Sequence, residues 1–500
     1  MTNKSNDVKE ASHEQKERIT YNARERIELL ADEGSFWELG ASAHSSVPGM
    51  EERTPADGLI GGIIRVDGRE AVVQAMDVSV LSGTEGEVHL RKSEFFHSYA
   101  KQRRLPLFNL CEGGGLRMPD GMGSDGISDK LFPNCLLDHS RETPVMTAIL
   151  GESYGGPTWM AVTSDFVTQV RGTGMAVAGP RMLEMASGEH LTAEELGGPD
   201  IHAVHTGQID HIAENENEAI AALRRFFSYM PSSSEETPAT NEVVEPASFD
   251  NINIEEIVPA NLRQPYDMHS LIGVLIDEGS FMDFRSFYGK ALITGFARLN
   301  GRVTGVVANQ PLHMAGAPGP EECDKAGDFI CLCDSYHIPL VFLHDTPGFR
   351  ISSRAEKQKM PSKIMNWNTA LAKSTVPKYS IIIRKSIGAA YGNMCGPGMG
   401  ADVVVAWPQA EINFTGPEVG VNVVYGKHIR NSEDPNKERA RYLEQWNFDS
   451  SPSKAAGKFL IEDIIEPNQT RSFLIRFLES AYASGSVKSR RRLADWPMSH

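Results

Sequence analysis

Cysteine is scarce in this chain. There are six in 500 residues, Cys111, Cys135, Cys323, Cys331, Cys333 and Cys395, too few over that length for a disulfide framework. Long hydrophobic runs are missing too. No stretch of about 18 uninterrupted apolar residues occurs, which argues against a membrane-spanning helix. Residues 1–18 are polar and mixed in charge, without the apolar core of a signal peptide, so a cytoplasmic location is expected. Positive charge is in deficit: 49 Lys and Arg against 66 Asp and Glu leave a net charge of −17. Wholesale binding to nucleic acid or an anionic membrane is therefore not expected. One spacing, Cys331-x-Cys333 with His337, invites a metal. It falls in an amphipathic, helix-like stretch, where residues i and i+2 point apart. Small buried side chains are the expectation there, and no metal.

What is present is ordinary in bulk and unusual in arrangement. Hydrophobic content of 40% and charged content of 23% fit a soluble globular protein, and 500 residues exceed what one core accommodates. Asp-Glu-Gly-Ser-Phe occurs twice, at residues 32–36 and 277–281. The first copy is followed by Gly61-Gly62, Asp67-Gly68-Arg69 and the run Ala71-Val72-Val73. The second is followed by Thr294-Gly295, Asn300-Gly301-Arg302 and Gly305-Val306-Val307. The chain reads as one domain written twice: a leader over 1–18, halves over 19–231 and 250–500, and a Ser/Glu/Thr/Pro linker over 232–249. A duplicated fold commonly places its site between the halves, each gripping a different reactant.

Within each half, apolar runs alternate with helix-length segments, which predicts an α/β fold. Strands are expected at 71–75, 107–110, 145–150, 306–307, 340–343 and 381–383, with helices over 89–102 and 322–337. Four small-residue turns follow these strands: 112–118 and 154–157 in the first half, 345–349 and 387–392 in the second. Such turns bring backbone N–H groups close to a ligand, and two converging donors make an oxyanion hole. Tight helix–sheet packing explains the same glycines equally simply. A rival reading shares the segment. Gly151-Glu152-Ser153-Tyr154-Gly155 matches the G-x-S-x-G elbow of serine hydrolases, with His202, His205 and His211 downstream. Against it, the copy around Ser386 offers no equivalent nucleophile.

Further residues make the pattern specific. They include Gly86-Glu87-Val88-His89, Gly113-Gly114-Gly115-Leu116-Arg117, Glu195-Leu196-Gly197-Gly198 and Val307-Ala308-Asn309-Gln310-Pro311. They continue with Asp345-Thr346-Pro347-Gly348-Phe349, Val376-Pro377-Lys378, Arg384-Lys385 and Ala406-Trp407-Pro408. Collinear from about residue 24 onward, these resemble the carboxyltransferase (β) subunits of biotin-dependent acyl-CoA carboxylases, the propionyl-CoA and methylcrotonyl-CoA carboxylase family. The resemblance implies two crotonase-like domains, sites formed between subunits, and a hexamer. It implies acyl-CoA on the first half and biotin on the second, where the biotin anion left by CO2 release takes the α-proton. Gly155 and Gly156 would hold the thioester enolate oxygen, and Ala389 and Ala390 the ureido oxygen of biotin. Gly114, Gly115, Arg117, Tyr391 and Gly392 would serve the acyl-CoA, and Pro347, Gly348, Phe349 and Gly388 the biotin.

The chain also departs from the family. Ala389 stands where Gly is usual; if that residue takes positive φ, alanine costs roughly 1 kcal/mol or more. Pro157 removes one N–H and restricts Gly156. Glu152-Ser153-Tyr154 replaces small residues, and Gly392 leaves room for a larger acyl group. No Met-Lys-Met biotinylation site and no glycine-rich ATP-binding segment are present, so a separate biotin carboxylase and biotin carrier subunit is the implied partner. Decarboxylation of an acyl-CoA on the same fold, with or without biotin, is the alternative. A serine hydrolase using Ser153 and a non-catalytic docking paralogue come after it.

Overall fold

The computed structural model describes residues 20–128, 141–246 and 254–488. The leader, the end of the linker and Cys135 lie outside those residues. Among the described residues, sixteen strands form two eight-stranded sheets. The first sheet contains β1 (Trp37–Glu38), β2 (Leu59–Val66), β3 (Arg69–Met76), β4 (Leu107–Gly113), β5 (Val145–Tyr154), β6 (Phe166–Val170), β7 (Gly174–Ala176) and β8 (His211–Ala213). Its order is β1-β2-β3-β4-β5-β6-β8, with β7 paired to β5. The second contains β9 (Met282–Phe284), β10 (Leu292–Leu299), β11 (Arg302–Asn309), β12 (Leu340–Thr346), β13 (Lys378–Ile387), β14 (Val403–Ala406), β15 (Glu411–Asn413) and β16 (Asp463–Ile464). Its order is β16-β14-β13-β12-β11-β10-β9, with β15 paired to β13.

Each sheet opens with antiparallel pairs and continues parallel. The parallel strands carry near-continuous apolar runs because both faces are covered; β6 and β12 are buried at every position. The expected helices run over Glu87–Arg103 and Pro320–Ser335. The second stops before His337, whose φ of 59° turns the chain toward β12. Cys323 and Cys333 are small buried core side chains, and His337 Nε2 bonds the carbonyl of Ser234 at 2.6 Å.

The duplication extends to single hydrogen bonds. Asp32 accepts from the N–H groups of Asp67 and Gly68 at 3.0 and 2.7 Å. Asp277 accepts from those of Asn300 and Gly301 at 3.0 and 2.6 Å. Asp67 and Asn300 adopt φ of 50° and 52°, followed by Gly68 and Gly301 at 76° and 77°. Two residues with positive φ are what a tight hairpin turn requires. Ser35 Oγ donates to the Asp32 carbonyl and accepts from Arg65 N–H; Ser280 does the same with Asp277 and Arg298. The repeated Asp-Glu-Gly-Ser-Phe is thus a device that fastens the β2–β3 and β10–β11 hairpins.

The halves share one core. Phe166 stacks on Phe226 at 4.7 Å between ring centres, and Phe226 meets Phe296 of the second half edge-on at 5.7 Å. Arg285, buried, binds Asp210 of the first half at 2.8 Å and Asp328 at 2.7 Å. Residues 232–246 have no regular structure but are laced to both halves. Ser234 N–H donates to Glu142, Asn241 N–H to Gly301, and Val244 accepts from Glu278 N–H.

Candidate active site

The long strands β5 and β13 end at equivalent places. β7 joins β5 at Glu152–Tyr154, and β15 joins β13 at Lys385–Ile387. In both sheets the register to the preceding strand shifts just before, pairing Gly113 with Ser153 and Thr346 with Ser386. The next residues are Gly155 (φ 67°, ψ −115°) and Gly388 (φ 66°, ψ −153°), backbone conformations that only glycine adopts readily. Their N–H groups pin the turns, Gly155 to the Ala176 carbonyl at 3.3 Å and Gly388 to Asn413 at 2.9 Å.

Short helices follow, over Gly156–Val162 and Ala389–Asn393. Gly156 therefore matches Ala389, and Pro157 matches Ala390. Because Gly388 carries the positive φ, the strain considered for Ala389 does not arise. In the second turn, Ala389 and Ala390 present consecutive N–H groups with no acceptor among the described residues. In the first, Gly155 is engaged and Pro157 has no N–H, so only Gly156 of the expected pair is free. Pro157 sits in the first helical turn, where its missing N–H would be unsatisfied anyway. As glycine, Gly156 tolerates the helical conformation that a following proline disfavours.

The surrounding loops are held close. Gly115 (φ 76°) accepts from Glu85 N–H at 2.8 Å, and a Cβ on it would lie 2.6 Å from the Tyr154 carbonyl. Gly114 N–H donates to Ser82. Arg117 does not face outward: it is buried and binds Asp57 at 2.7 Å and the Thr84 carbonyl at 3.0 Å. It locks the loop beneath the turn, where the resemblance implied a substrate contact. In the second half, Asp345 is gripped by Arg384 at 2.7 Å and Lys385 at 3.6 Å. Gly348 adopts φ of 116°, Pro347 is exposed and Phe349 packs edge-on to Trp367. Tyr391 lies edge-on to His344. A Cβ on Gly392 would find only Met399 Cγ, at 3.7 Å.

Two buried groups escaped the sequence reading. Glu85 is 3% exposed and its Oε1 has no partner among the described residues. Its carboxyl lies against Gly156, where a Cβ would come 2.5 Å from Glu85 Cδ, and burial pushes its pKa up to about 7. Ser386, the true counterpart of Ser153, bonds His344 Nδ1 at 2.9 Å. The second copy does therefore carry an equivalent hydroxyl. Neither serine makes an elbow. Ser153 is fully buried and its Oγ is unpartnered. His202 is held by the Met175 carbonyl at 2.7 Å and by Thr206, and His211 by Thr168. Ser386 and His344 are both sealed, and burial lowers the histidine to about 3. Among the described residues, no group of three His, Cys, Asp or Glu side chains is placed to hold a metal, and no helix is long and apolar enough to cross a membrane.

The carboxyl transferase domain family matches residues 14–493. The chain is 34% identical to the propionyl-CoA carboxylase carboxyltransferase subunit of Haloferax mediterranei, over 96% of this chain and 93% of that one. It is 32% identical to the methylmalonyl-CoA decarboxylase subunit alpha of Propionigenium modestum, over 91% and 88%. The solved transcarboxylase 12S structure, a hexamer with methylmalonyl-CoA bound, superposes with a TM-score of 0.87 at 32% identity, covering 95% of this chain and 91% of that chain. With two crotonase-like halves matched along nearly its whole length, the chain belongs to the carboxyl transferase domain family.

Proposed function

We propose that this chain is the carboxyltransferase subunit of a biotin-dependent acyl-CoA carboxylase, moving a carboxyl group from a separate biotin carrier to the α- or γ-carbon of an acyl-CoA. The observation that carries this reading is the pair of equivalent turns whose helix-leading amides lack acceptors among the described residues. Donors fixed in place before reaction stabilise a developing oxyanion without reorganising. The Gly156 N–H suits a thioester enolate oxygen. The adjacent Ala389 and Ala390 N–H groups suit the single ureido oxygen of biotin, with Gly348 close to the same turn, where a Cβ would lie 3.6 Å from the Ile387 carbonyl. Biotin, when bound, supplies the carboxyl group and the base for the α-proton. The chain's own part is to orient both oxygens and exclude water, and the sealed Ser153, Ser386 and His344 are consistent with that division.

The exposed apolar residues support shared sites. Met182 and Met185 project from the helix Pro180–Ser187 in the first half. Val419, Val423 and Val424 project from Pro417–Arg430 in the second, beside Phe414. Patches of this kind mark interaction surfaces. They fit a first half docking on another subunit's second half, in a hexamer like that of the 12S protein.

The test is transfer from methylmalonyl-CoA to biotin or a biotinylated carrier. Avidin-sensitive transfer, lost in Gly155→Val and Gly388→Val, is the expected result; no transfer with any acyl-CoA would refute the reading. Avidin-insensitive loss of CO2 would favour the second reading, decarboxylation. That reading is motivated by the decarboxylase subunit among the relatives.

A further inference from the structure

Behind the first turn lies a cavity of about 700 Å³. It runs between the helix Gly156–Val162, strands β6 and β7, and the helix Pro180–Ser187. Its walls are largely apolar, with Trp159, Val162, Met175 and Leu183 among them. One end is tied to the turn. Ala176, whose carbonyl accepts the Gly155 N–H, lines the cavity, as does Thr158, whose hydroxyl donates to the Ser153 and Ala176 carbonyls. At the rim, Val177 is 70% and Met182 57% exposed in the single protomer, on the face assigned above to docking on another subunit. Arg285, Asp210 and Asp328 also line it, Arg285 being paired with both carboxylates.

We propose that this cavity receives the hydrocarbon chain of the acyl-CoA, which extends the substrate range to long or branched acyl groups. The inference rests on the reading that Gly156 holds the thioester oxygen. Three observations converge on it. The cavity borders on Thr158 and Ala176, which are hydrogen-bonded to the turn that leads into Gly156. The volume falls inside the range of about 300–1,000 Å³ typical of pockets for small organic ligands, well beyond the need of a three-carbon acyl group. The lining includes the small residues Ala161, Ala176, Ala178 and Ala186, whose short side chains leave space unfilled. The Arg285 ion pairs that also line it are satisfied by one another and ask for no counter-charge from a ligand.

Burying one methylene is worth about 0.8 kcal/mol, so kcat/KM should rise roughly fourfold per added carbon until the cavity fills. The experiment measures carboxyl transfer to free biotin from alkylmalonyl-CoAs of increasing alkyl length. Equilibrium binding of the matching acyl-CoAs is measured in parallel, on the assembled protein. Ala186→Phe, at an exposed position, and Ala161→Phe, at a buried one, each narrow the cavity. At least a tenfold fall in the ratio of long- to short-chain kcat/KM, mirrored in binding, is expected for either variant. Transfer that is indifferent to chain length, or variants that depress every length equally, would overturn the inference while leaving the transfer reading intact. So would variants that leave the ratio fixed but dissociate the oligomer, since another subunit would then fill the space. Chain-length-dependent binding without transfer would instead overturn the transfer reading and keep the cavity.

Discussion

Replacing Gly156 by alanine sets a methyl group against a buried carboxyl. The new Cβ would stand 2.5 Å from Glu85 Cδ and closer still to both carboxyl oxygens. Glu85 is 3% exposed and its backbone is bonded to Gly115 and Arg117, so its side chain has to give way inside a closed site. Overpacking a filled site costs about 1–3 kcal/mol, and the part that the Glu85 side chain relieves by shifting comes off that cost. Shortening Glu85 to alanine removes the obstacle, so the double variant should recover most of that loss. A coupling of about 1–3 kcal/mol is expected, as for residues in direct contact. The equivalent second-half position already carries a Cβ, and Ala389→Gly should cost no more than about 1 kcal/mol through added backbone freedom in the unfolded chain. Urea unfolding at one fixed protomer concentration measures all four variants, because an oligomer's apparent stability depends on concentration. Gly156→Ala costing the same with and without Glu85, to within about 0.5 kcal/mol, would refute the clash as the cause.

The same carboxyl makes stability depend on pH. Burial raises Glu85 from 4.5 to about 7, so its contribution is whole below pH 4.5 and is lost as pH rises through 7. The shift corresponds to about 3 kcal/mol. Glu85→Gln should flatten the urea midpoint between pH 5 and 8, and an unchanged slope would assign it to other groups. Asp277→Ala removes two turn acceptors and a buried partner of Arg471 at 2.8 Å, for a loss of about 3–5 kcal/mol in chemical denaturation. Asp32→Ala, at a side chain 32% exposed, should cost only about 1 kcal/mol; equal losses would contradict the burial argument. Gly392→Asp meets open space, so it should leave folding intact and shift acyl-chain preference in the transfer assay. An unchanged profile would remove Gly392 from the acyl site.

The strands were legible because their apolar runs are local: residues 107–110, 145–150 and 340–343 fall inside β4, β5 and β12. The repeat was legible because hairpin geometry demands particular residues, Asp to accept and Asn-Gly or Asp-Gly to turn. What stayed hidden was made by segments far apart. Nothing near Thr84-Glu85-Gly86 marks a buried carboxyl, and its burial comes from docking onto 113–117, where glycines let two backbones touch. Those glycines were the available signal. The Ser153–Ser386 equivalence was hidden for a different reason. Pairing Gly155 with Ala389 misses the register by one residue, while the spacing of Asp67-Gly68 to Asn300-Gly301 carries through unchanged to Gly155 and Gly388. The family resemblance put Arg117 at the acyl-CoA, and no sequence pattern links it to Asp57, sixty positions away, which holds its side chain.

The two halves keep one frame and differ where reactants would meet, and the differences point in consistent directions. Both turns put glycine at the positive-φ residue and tie its N–H to a flanking strand, so the helix-leading amides are aimed alike. The second turn then offers two adjacent donors on alanines, an arrangement for one small, strongly accepting oxygen. The first offers Gly156, skips Pro157, sets Glu85 against the glycine and opens into a large apolar cavity. A site for an invariant cofactor headgroup gains from rigid, duplicated donors, because its ligand never changes. A site for acyl thioesters must hold one constant oxygen while admitting a variable chain, so fewer donors and more space serve it better. The asymmetry is therefore what a duplicated fold should acquire if its first half meets the acyl-CoA and its second half the biotin.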